Sequence, residues 1–405
     1  MEQNELRARS RRATSVDLPF LVGVLLLLAI GLAALFSAGY AKALQKTGNS
    51  YHYITRQGIF ALVGLIGMGV ISWIPYKFYK KISVPFYGAS IALLIAVLLI
   101  PTNDAEKRWL YIGGFQFQPS EFAKVAVIIL LALYLSQPKL RVRNFWRGIV
   151  IPAMIFGLCT FLVGIETHLS GAILIGSIGL IMIIAAGANV FQLLPIGITC
   201  VAGAVALFLS NEYMQQRVFT WLNPESDPAG AGYQALQSLY AIGSGGLTGL
   251  GFGDSRQKYL YLPEPQNDFI FSVFCEEMGW IAAFVVLALF AFVVARGFYI
   301  ASKAPDKFSS LIVVGISTRL AVQTIFNIAV VSGAFPVTGI SLPFFSYGGT
   351  ALIVLLGEMG LVLQISRHAA IERDPPPKPL PAEGEGETET ATAKKKKRKL
   401  FGKKV

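Results

Sequence analysis

Charge is scarce in this chain. Of its 405 residues, 14% are Asp, Glu, Lys or Arg and 54% are apolar, with a mean hydropathy of +0.59. An ordinary soluble domain is roughly 25% charged. A soluble chain this apolar would carry more greasy surface than it could bury, so the composition excludes the common soluble classes and makes lipid the natural solvent. Cysteine is scarcer still. Cys159, Cys200 and Cys275 all lie in apolar runs without paired spacing, which rules out a disulfide framework or a thiolate metal site. His52, His168 and His368 are too few and too scattered for a zinc site. What charge there is sums to +12. Its placement, in the tails and in alternate short loops, encodes membrane topology, so no nucleic-acid partner is expected.

Long apolar runs supply the rest of the reading. A helix crossing the ~30 Å hydrocarbon layer needs about 20 apolar residues. Such runs occur at roughly 18–40, 57–75, 82–101, 120–136, 147–165, 169–187, 190–210, 269–295, 308–334 and 342–366. The expected fold class is therefore an all-α integral membrane protein of about ten transmembrane helices. The first run is long enough to span, so it is no cleavable signal. Arg7, Arg9, Arg11 and Arg12 precede it. Lys77, Lys80 and Lys81, then Lys139, Arg141, Arg143 and Arg147, then Arg296, Lys303 and Lys307 fill alternate connections. Ten spans put all of these on one side, the cytoplasm, with both termini there. The domain reading is a basic tail over 1–17, a membrane domain over 18–367, and a tail over 368–405. That last tail passes from Pro375-Pro376-Pro377 through a Glu/Gly/Thr stretch to the lysine block Lys394–Lys399. It cannot bury a core, and its lysines suit anionic headgroups.

One connection, 211–268, is much longer than the others and falls on the extracytoplasmic side. Long loops on economical scaffolds carry function. Its glycine-rich run, Gly243 to Gly253, has no strand before it and no helix after it in a βαβ unit, so it is read as tight backbone turns rather than a nucleotide loop. Asp268 stands at the mouth of the next apolar helix, with Glu276 and Glu277 two turns deeper. Glu121 and Lys124 share a face at the start of the fourth span and can pair. Arg108 lies just before that span, Glu166 and His168 sit in the turn after the fifth, and Arg319 and Glu358 fall in later spans. Charges inside spans mark a cavity or a partner. The residues alone give an outward-facing polar pocket and leave transport and catalysis both open.

Taken in order, several segments resemble the SEDS family (shape, elongation, division and sporulation). They are Arg108-Trp109 with Phe117-Gln118-Pro119-Ser120-Glu121-Phe122-Ala123-Lys124; Arg217-Val218; Asn223-Pro224-Glu225-Ser226-Asp227-Pro228; Gly251-Phe252-Gly253; Leu262-Pro263-Glu264; Asp268-Phe269-Ile270-Phe271; Glu276-Glu277-Met278-Gly279; and Pro343-Phe344-Phe345-Ser346-Tyr347-Gly348-Gly349. They cover essentially the whole membrane region. The resemblance implies an inverting peptidoglycan glycosyltransferase that polymerises lipid II with release of undecaprenyl pyrophosphate, in division, elongation or sporulation. Within the family the chain leans toward the FtsW/SpoVE type.

The resemblance further implies Asp268 as catalytic base. Arg217, Arg108 and Lys124 become candidates for the pyrophosphate, and Glu264 shapes the substrate loop. Glu121, Glu276, Glu277 and Ser346 are carried over as pocket and structural residues. No residue set for a metal stands out, although a divalent cation, Mg2+ or Mn2+, could assist leaving-group departure. The implied partner is a class B penicillin-binding protein, a monofunctional transpeptidase. Two positions depart from many relatives: Glu166-Thr167-His168 replaces a Gln-Pro-Asp turn, and Asn267 replaces a threonine before the acid. The competing readings are a lipid II flippase, which needs comparable polar access from both faces, and a non-catalytic scaffold, which would tolerate loss of Asp268.

Overall fold

The computed structural model describes residues 16–100, 108–112, 115–138, 140–166, 168–195, 212–227, 230–259 and 261–372, with scattered positions between 197 and 209. Apart from 16–17 and 368–372, the expected tails lie outside the described residues. In chain order the helices are α1 (Leu18–Thr47), α2 (His52–Ile71) and α3 (Tyr76–Leu99). A small antiparallel hairpin follows, β1 (Leu110–Ile112) with β2 (Phe115–Phe117), in the register Leu110 opposite Phe117. Then come α4 (Pro119–Leu135), α5 (Ile151–Ile165, entered through one π turn at Trp146–Val150) and α6 (Leu169–Ala185). The long loop contributes α7 (Glu212–Leu222) and α8 (Ala231–Ser244), and the chain closes with α9 (Ile270–Ser302), α10 (Lys307–Val331) and α11 (Gly349–Glu372). Seven of the helices are long and apolar enough to cross a membrane. The α4 and α6 helices, at 17 residues each, fall short of that length, and α5, at 15, reaches it only together with its π turn.

Local signals set the helix ends. The Asp17 side chain accepts from the Phe20 amide at the start of α1, and Gly48 closes that helix in the left-handed region at φ 70°. Asp306 and Ser309 form a reciprocal capping box at the start of α10. The last span begins at Gly349 rather than at the expected 342, because Leu342–Gly348 is apolar but folds as a turn ahead of the helix. Hydropathy counts greasy residues and does not distinguish a buried turn from a helix.

Polar contacts sort the chain into two ends. At one end Arg296 pairs with Asp17 at 2.9 Å, Lys80 with Asp306 at 2.8 Å, Lys307 donates to the Ala186 carbonyl at 3.1 Å, and the Asp17 amide donates to Ser366 at 3.0 Å. At the other end Lys46 pairs with Glu264 at 2.9 Å, Gln57 donates to the Ser346 carbonyl at 3.2 Å, and Trp221 donates to the Gly333 carbonyl at 2.8 Å. Ala186 and Trp221 thus lie at opposite ends, so the chain crosses between them. The expected seventh span falls in that stretch, much of which lies outside the described residues, and α1 to α6, α9, α10 and α11 supply nine passages among the described residues. The membrane domain enters and leaves at the same end.

Between the ends sits a buried charge network. Lys124 donates to Glu121 at 2.6 Å, and Arg319 reaches Glu121 at 2.6 Å through one guanidinium nitrogen and Glu358 through another. All four side chains are buried. Two cations and two anions balance, and the network joins α4, α10 and α11. Buried charges are tolerated when each is paired and become costly when one partner is removed.

Beside this network is the turn between α5 and α6. Glu166 and His168 are both buried there, and His168 Nδ1 lies 3.4 Å from Ser120 Oγ. Burial pushes the Glu166 carboxyl up to about 8. Burial, with the charges of Arg108 and Lys124, holds the His168 imidazole down to about 3. Both groups are therefore neutral at pH 7.

Arg319→Met strands the buried Glu358 carboxylate and leaves Glu121 to Lys124 alone, and should destabilise the protein by about 3–5 kcal/mol. The readout is the thermal unfolding midpoint in detergent. Adding Glu358→Gln should recover part of the loss, and an unchanged midpoint for Arg319→Met alone would remove the network from the account of stability. The turn makes a separate prediction. Between pH 4.5, the ordinary carboxyl value, and about 8, the unfolded chain ionises Glu166 while the folded one does not. Wild type should therefore lose stability relative to Glu166→Gln as pH rises through that window. His168 acts in the opposite limb: its contribution falls as pH drops from 6.5 toward 3, and His168→Gln should flatten that limb. Unfolding midpoints measured across pH test both signs.

Candidate functional site at the long-loop end of the helices

The glycine-rich segment packs against a break in a helix. At Gly279, φ 74° and ψ 177°, α9 leaves helical geometry. The Leu250 and Gly251 amides donate to the freed carbonyls of Glu276 and Glu277, each at 3.0 Å. The Trp280 and Ile281 amides beyond the break donate to the carbonyls of Gly246 and Leu247, at 3.0 and 3.2 Å. The groups that the break orphans are thereby satisfied by the loop. A Cβ at Gly249 or at Gly279 would overlap backbone atoms of the other segment, so two main chains meet here because neither residue has a side chain. The sequence expectation of tight turns holds, and their packing partner is a broken transmembrane helix.

The two glutamates at the break hold the rest of the loop. Glu276 accepts from the Arg256 amide at 3.0 Å, the Gln257 amide at 3.3 Å and the Ser255 hydroxyl. Glu277 accepts from Ser37 of α1 at 2.6 Å and from Lys258 at 2.8 Å. The Lys258 ammonium, itself buried, also donates to Ser37 at 3.0 Å and to the Gly253 carbonyl. These acids fasten the long loop to α9 and α1.

Asp268 belongs to a second assembly. The segment 264–268 lies against the turn 339–348, and three successive carbonyls of the first are each gripped. The Tyr347 amide donates to Gln266 O at 2.9 Å, Ser346 Oγ to Asn267 O at 2.6 Å, and Asn327 Nδ2 to Asp268 O at 2.9 Å. Ser346 Oγ also accepts from the Leu342 amide at 2.7 Å, which ties the turn back on itself. Gln57 of α2 clips the far side, donating to Ser346 O and accepting from the Gly348 amide, both at 3.2 Å. Glu264 accepts from Gln266 Nε2 at 2.6 Å, Asn267 Nδ2 at 3.2 Å and Lys46 at 2.9 Å. Asp268 is half-buried, and a Cβ built on Gly339 would sit 3.4 Å from its Oδ2. The main chain of the acid is held this way, and its carboxylate lies beside a residue without a side chain.

The candidates read from the sequence thus fall into separate groups. Asp268, Glu264 and Ser346 come together. Glu276 and Glu277 form the loop anchor, and Glu121 and Lys124 are locked in the buried network. Arg108 stands at the foot of the hairpin, close enough to His168 for its charge to disfavour the imidazolium. Arg217 falls on α7, and its side chain lies outside the described residues. Four positions that the sequence reading did not single out complete the site: Lys46, Gln57, Lys258 and Asn327. Gln57 and Asn327 are fully buried amides within membrane helices. Buried amides in spans carry the same signal as buried charges, at lower contrast.

Comparison with known proteins agrees with this architecture. A family model for FtsW, RodA and SpoVE, described as cell cycle protein, matches residues 18–371. Stage V sporulation protein E of Bacillus subtilis (strain 168) is 41% identical over 364 residues, covering 88% of this chain and 99% of that protein. A probable peptidoglycan glycosyltransferase FtsW of Geobacter sp. (strain M18) is 35% identical, covering 88% and 98%. Among solved structures, a chain from work on the structural coordination of polymerization and crosslinking by a peptidoglycan synthase complex superposes with a TM-score of 0.73 at 27% identity, over 87% of this chain and 98% of its own. The rod shape determining protein RodA of Thermus thermophilus gives 0.65 at 27% identity, over 87% and 97%. Nine passages among the described residues, a loop assembly at one face and a match running from the first helix to the last make this chain a member of the FtsW/RodA/SpoVE family of multi-pass membrane proteins.

Proposed function

We propose that the chain is a peptidoglycan glycosyltransferase that polymerises lipid II, with Asp268 as its general base and the 264–268 face outside the cell. One observation carries the reading. The half-buried acid at 268 sits on a segment whose carbonyls are gripped at three consecutive residues, in a chain 35% identical to a relative named for this activity. The 4-hydroxyl of an acceptor GlcNAc gives its proton to the Asp268 carboxylate as its oxygen bonds to the anomeric carbon of the donor MurNAc. The bond from that carbon to pyrophosphate breaks, and the electron pair leaves with undecaprenyl pyrophosphate. One displacement turns an α linkage into a β-1,4 bond, with inversion. Proton removal by a positioned carboxylate accelerates such a step by about 10²–10⁴-fold.

The leaving group gathers negative charge, which nearby cations offset. Arg217 and Arg108 are the candidates with access to the outer face. Lys124 is committed to Glu121, so its part is to hold α4 in place. Among the described residues no three His, Cys, Asp or Glu side chains gather as a ligand set, so no step is routed through Mg2+ or Mn2+. We infer a class B penicillin-binding protein as the partner, and a cytoplasmic position for the end that gathers Arg296, Lys80 and Lys307. The positive side chains at that end support the assignment.

Asp268→Asn keeps the main-chain grip from Asn327 and removes the base, so the variant should fold and lose at least about 10²-fold in rate. The assay is glycan-strand synthesis from purified lipid II, by each protein copurified with its transpeptidase. Comparable strands from Asp268→Asn and wild type would take the base role from this residue, and no strands from wild type with its partner bound would turn the reading toward a flippase or a scaffold.

A further inference from the structure

We propose that Asn327 is a positioning residue for Asp268: it fixes the distance between the acid and the turn that faces it. The inference rests on the base role given to Asp268 above. Asn327 lies on α10 and is fully buried. Its amide nitrogen donates twice, to Asp268 O at 2.9 Å and to Ile340 O at 2.6 Å. Ile340 follows Gly339, the residue whose Cβ position is 3.4 Å from Asp268 Oδ2. One side chain therefore ties the main chain of the acid to the main chain of the wall opposite its carboxylate. One turn earlier on the same helix, Gln323 donates to the Ser341 carbonyl at 3.0 Å, so α10 holds this wall at two successive residues.

Backbone strain marks the same place. Among the described residues two non-glycine residues have positive φ, Glu264 at 48° and Phe344 at 66°. One lies in each of the two segments that Asn327 joins. Such conformations persist when the surroundings over-determine them, and they gather where geometry has to be exact to fractions of an ångström. Among the described residues the side-chain oxygen of Asn327 has no hydrogen-bond partner. A buried acceptor left unsatisfied costs stability, so the residue is suited to its two donors and poorly suited to serve as packing alone.

The experiment measures glycan synthesis from lipid II, with wild type, Asp268→Asn, Asn327→Ala and Gly339→Ala each copurified with its transpeptidase. It also measures the unfolding midpoint of each. A misplacement of about 1 Å at a reacting group costs about 10²-fold. The expected result for Asn327→Ala is a kcat lower by about 10–100-fold, with the KM for lipid II within about 2-fold of wild type and a clear unfolding transition. Gly339→Ala, which strains the φ 72° backbone beside Ile340 and puts a methyl against Oδ2, should lose kcat in the same way. Full kcat in a folded Asn327→Ala overturns the proposal, as does a matched loss of kcat and lipid II affinity, which marks a merely structural role. Should Asn327→Ala fail to fold, Asn327→Leu, assayed in the same way, decides, because it keeps the volume and removes both donors: retained kcat overturns the proposal and lost kcat with unchanged KM supports it. Activity in Asp268→Asn equal to wild type overturns the base assignment and this inference with it. Loss in Asp268→Asn beside full activity in Asn327→Ala overturns this inference alone.

Discussion

Inside hydrocarbon a hydrogen-bonding group has no water to turn to, and each departure of this chain from plain apolar helix is shaped by that requirement. Arg319 can be buried because two carboxylates from different helices meet it, one of them shared with Lys124. Helix α9 can break at Gly279 because the glycine segment of the long loop supplies donors and acceptors to the exposed groups on both sides. The turn 339–348 can lie between helices because Gln57, Gln323, Asn327 and Ser346 satisfy its main chain. The polar residues of the membrane domain are few, and they sit where the backbone is irregular or where helices have to be joined.

The same requirement makes the long-loop face stiff. Glu276 and Glu277 pull residues 253–258 onto α9 and α1, so the loop is continuous with the bundle instead of hanging from it. The Asp268 segment is then gripped from α10 by Asn327, from the opposite turn by Ser346 and Tyr347, and from α1 by Lys46 acting through Glu264. A site built on rigid elements keeps its geometry without help from the ligand, which suits a reaction that depends on aiming one proton acceptor.

Much of this was legible in the sequence, and the reasons differ from residue to residue. The ten expected passages follow from apolar runs and alternating basic loops, a signal distributed over many residues. Glu121, Lys124, Arg319 and Glu358 stand out as charges in spans. Their joining into one network does not, because spacing along the chain pairs only Glu121 with Lys124. The glycine run reads as turns, but which backbone it approaches is a tertiary fact. Leu342–Gly348 reads as the start of a span because hydropathy does not see that polar side chains elsewhere satisfy a buried turn. Gln57 and Asn327 are easily passed over, since one amide hardly alters the mean of a long apolar window. Position is the better guide: a fully buried amide in a span has to be spent on something, and here both are spent on the main chain beside Asp268.

That the grip falls on main chain carries a consequence for the acid itself. The carbonyls of Gln266, Asn267 and Asp268 would be offered by any residues at those positions, so these hydrogen bonds fix where the side chain at 268 stands without fixing what it is. What packing and backbone satisfaction demand lies around it: a residue free to take φ 72° at 339, a hydroxyl at 346 and a short double donor at 327. The main chain of the acid is therefore placed by its neighbours before any ligand arrives, and a step that depends on aiming one proton acceptor requires preorganisation of that kind.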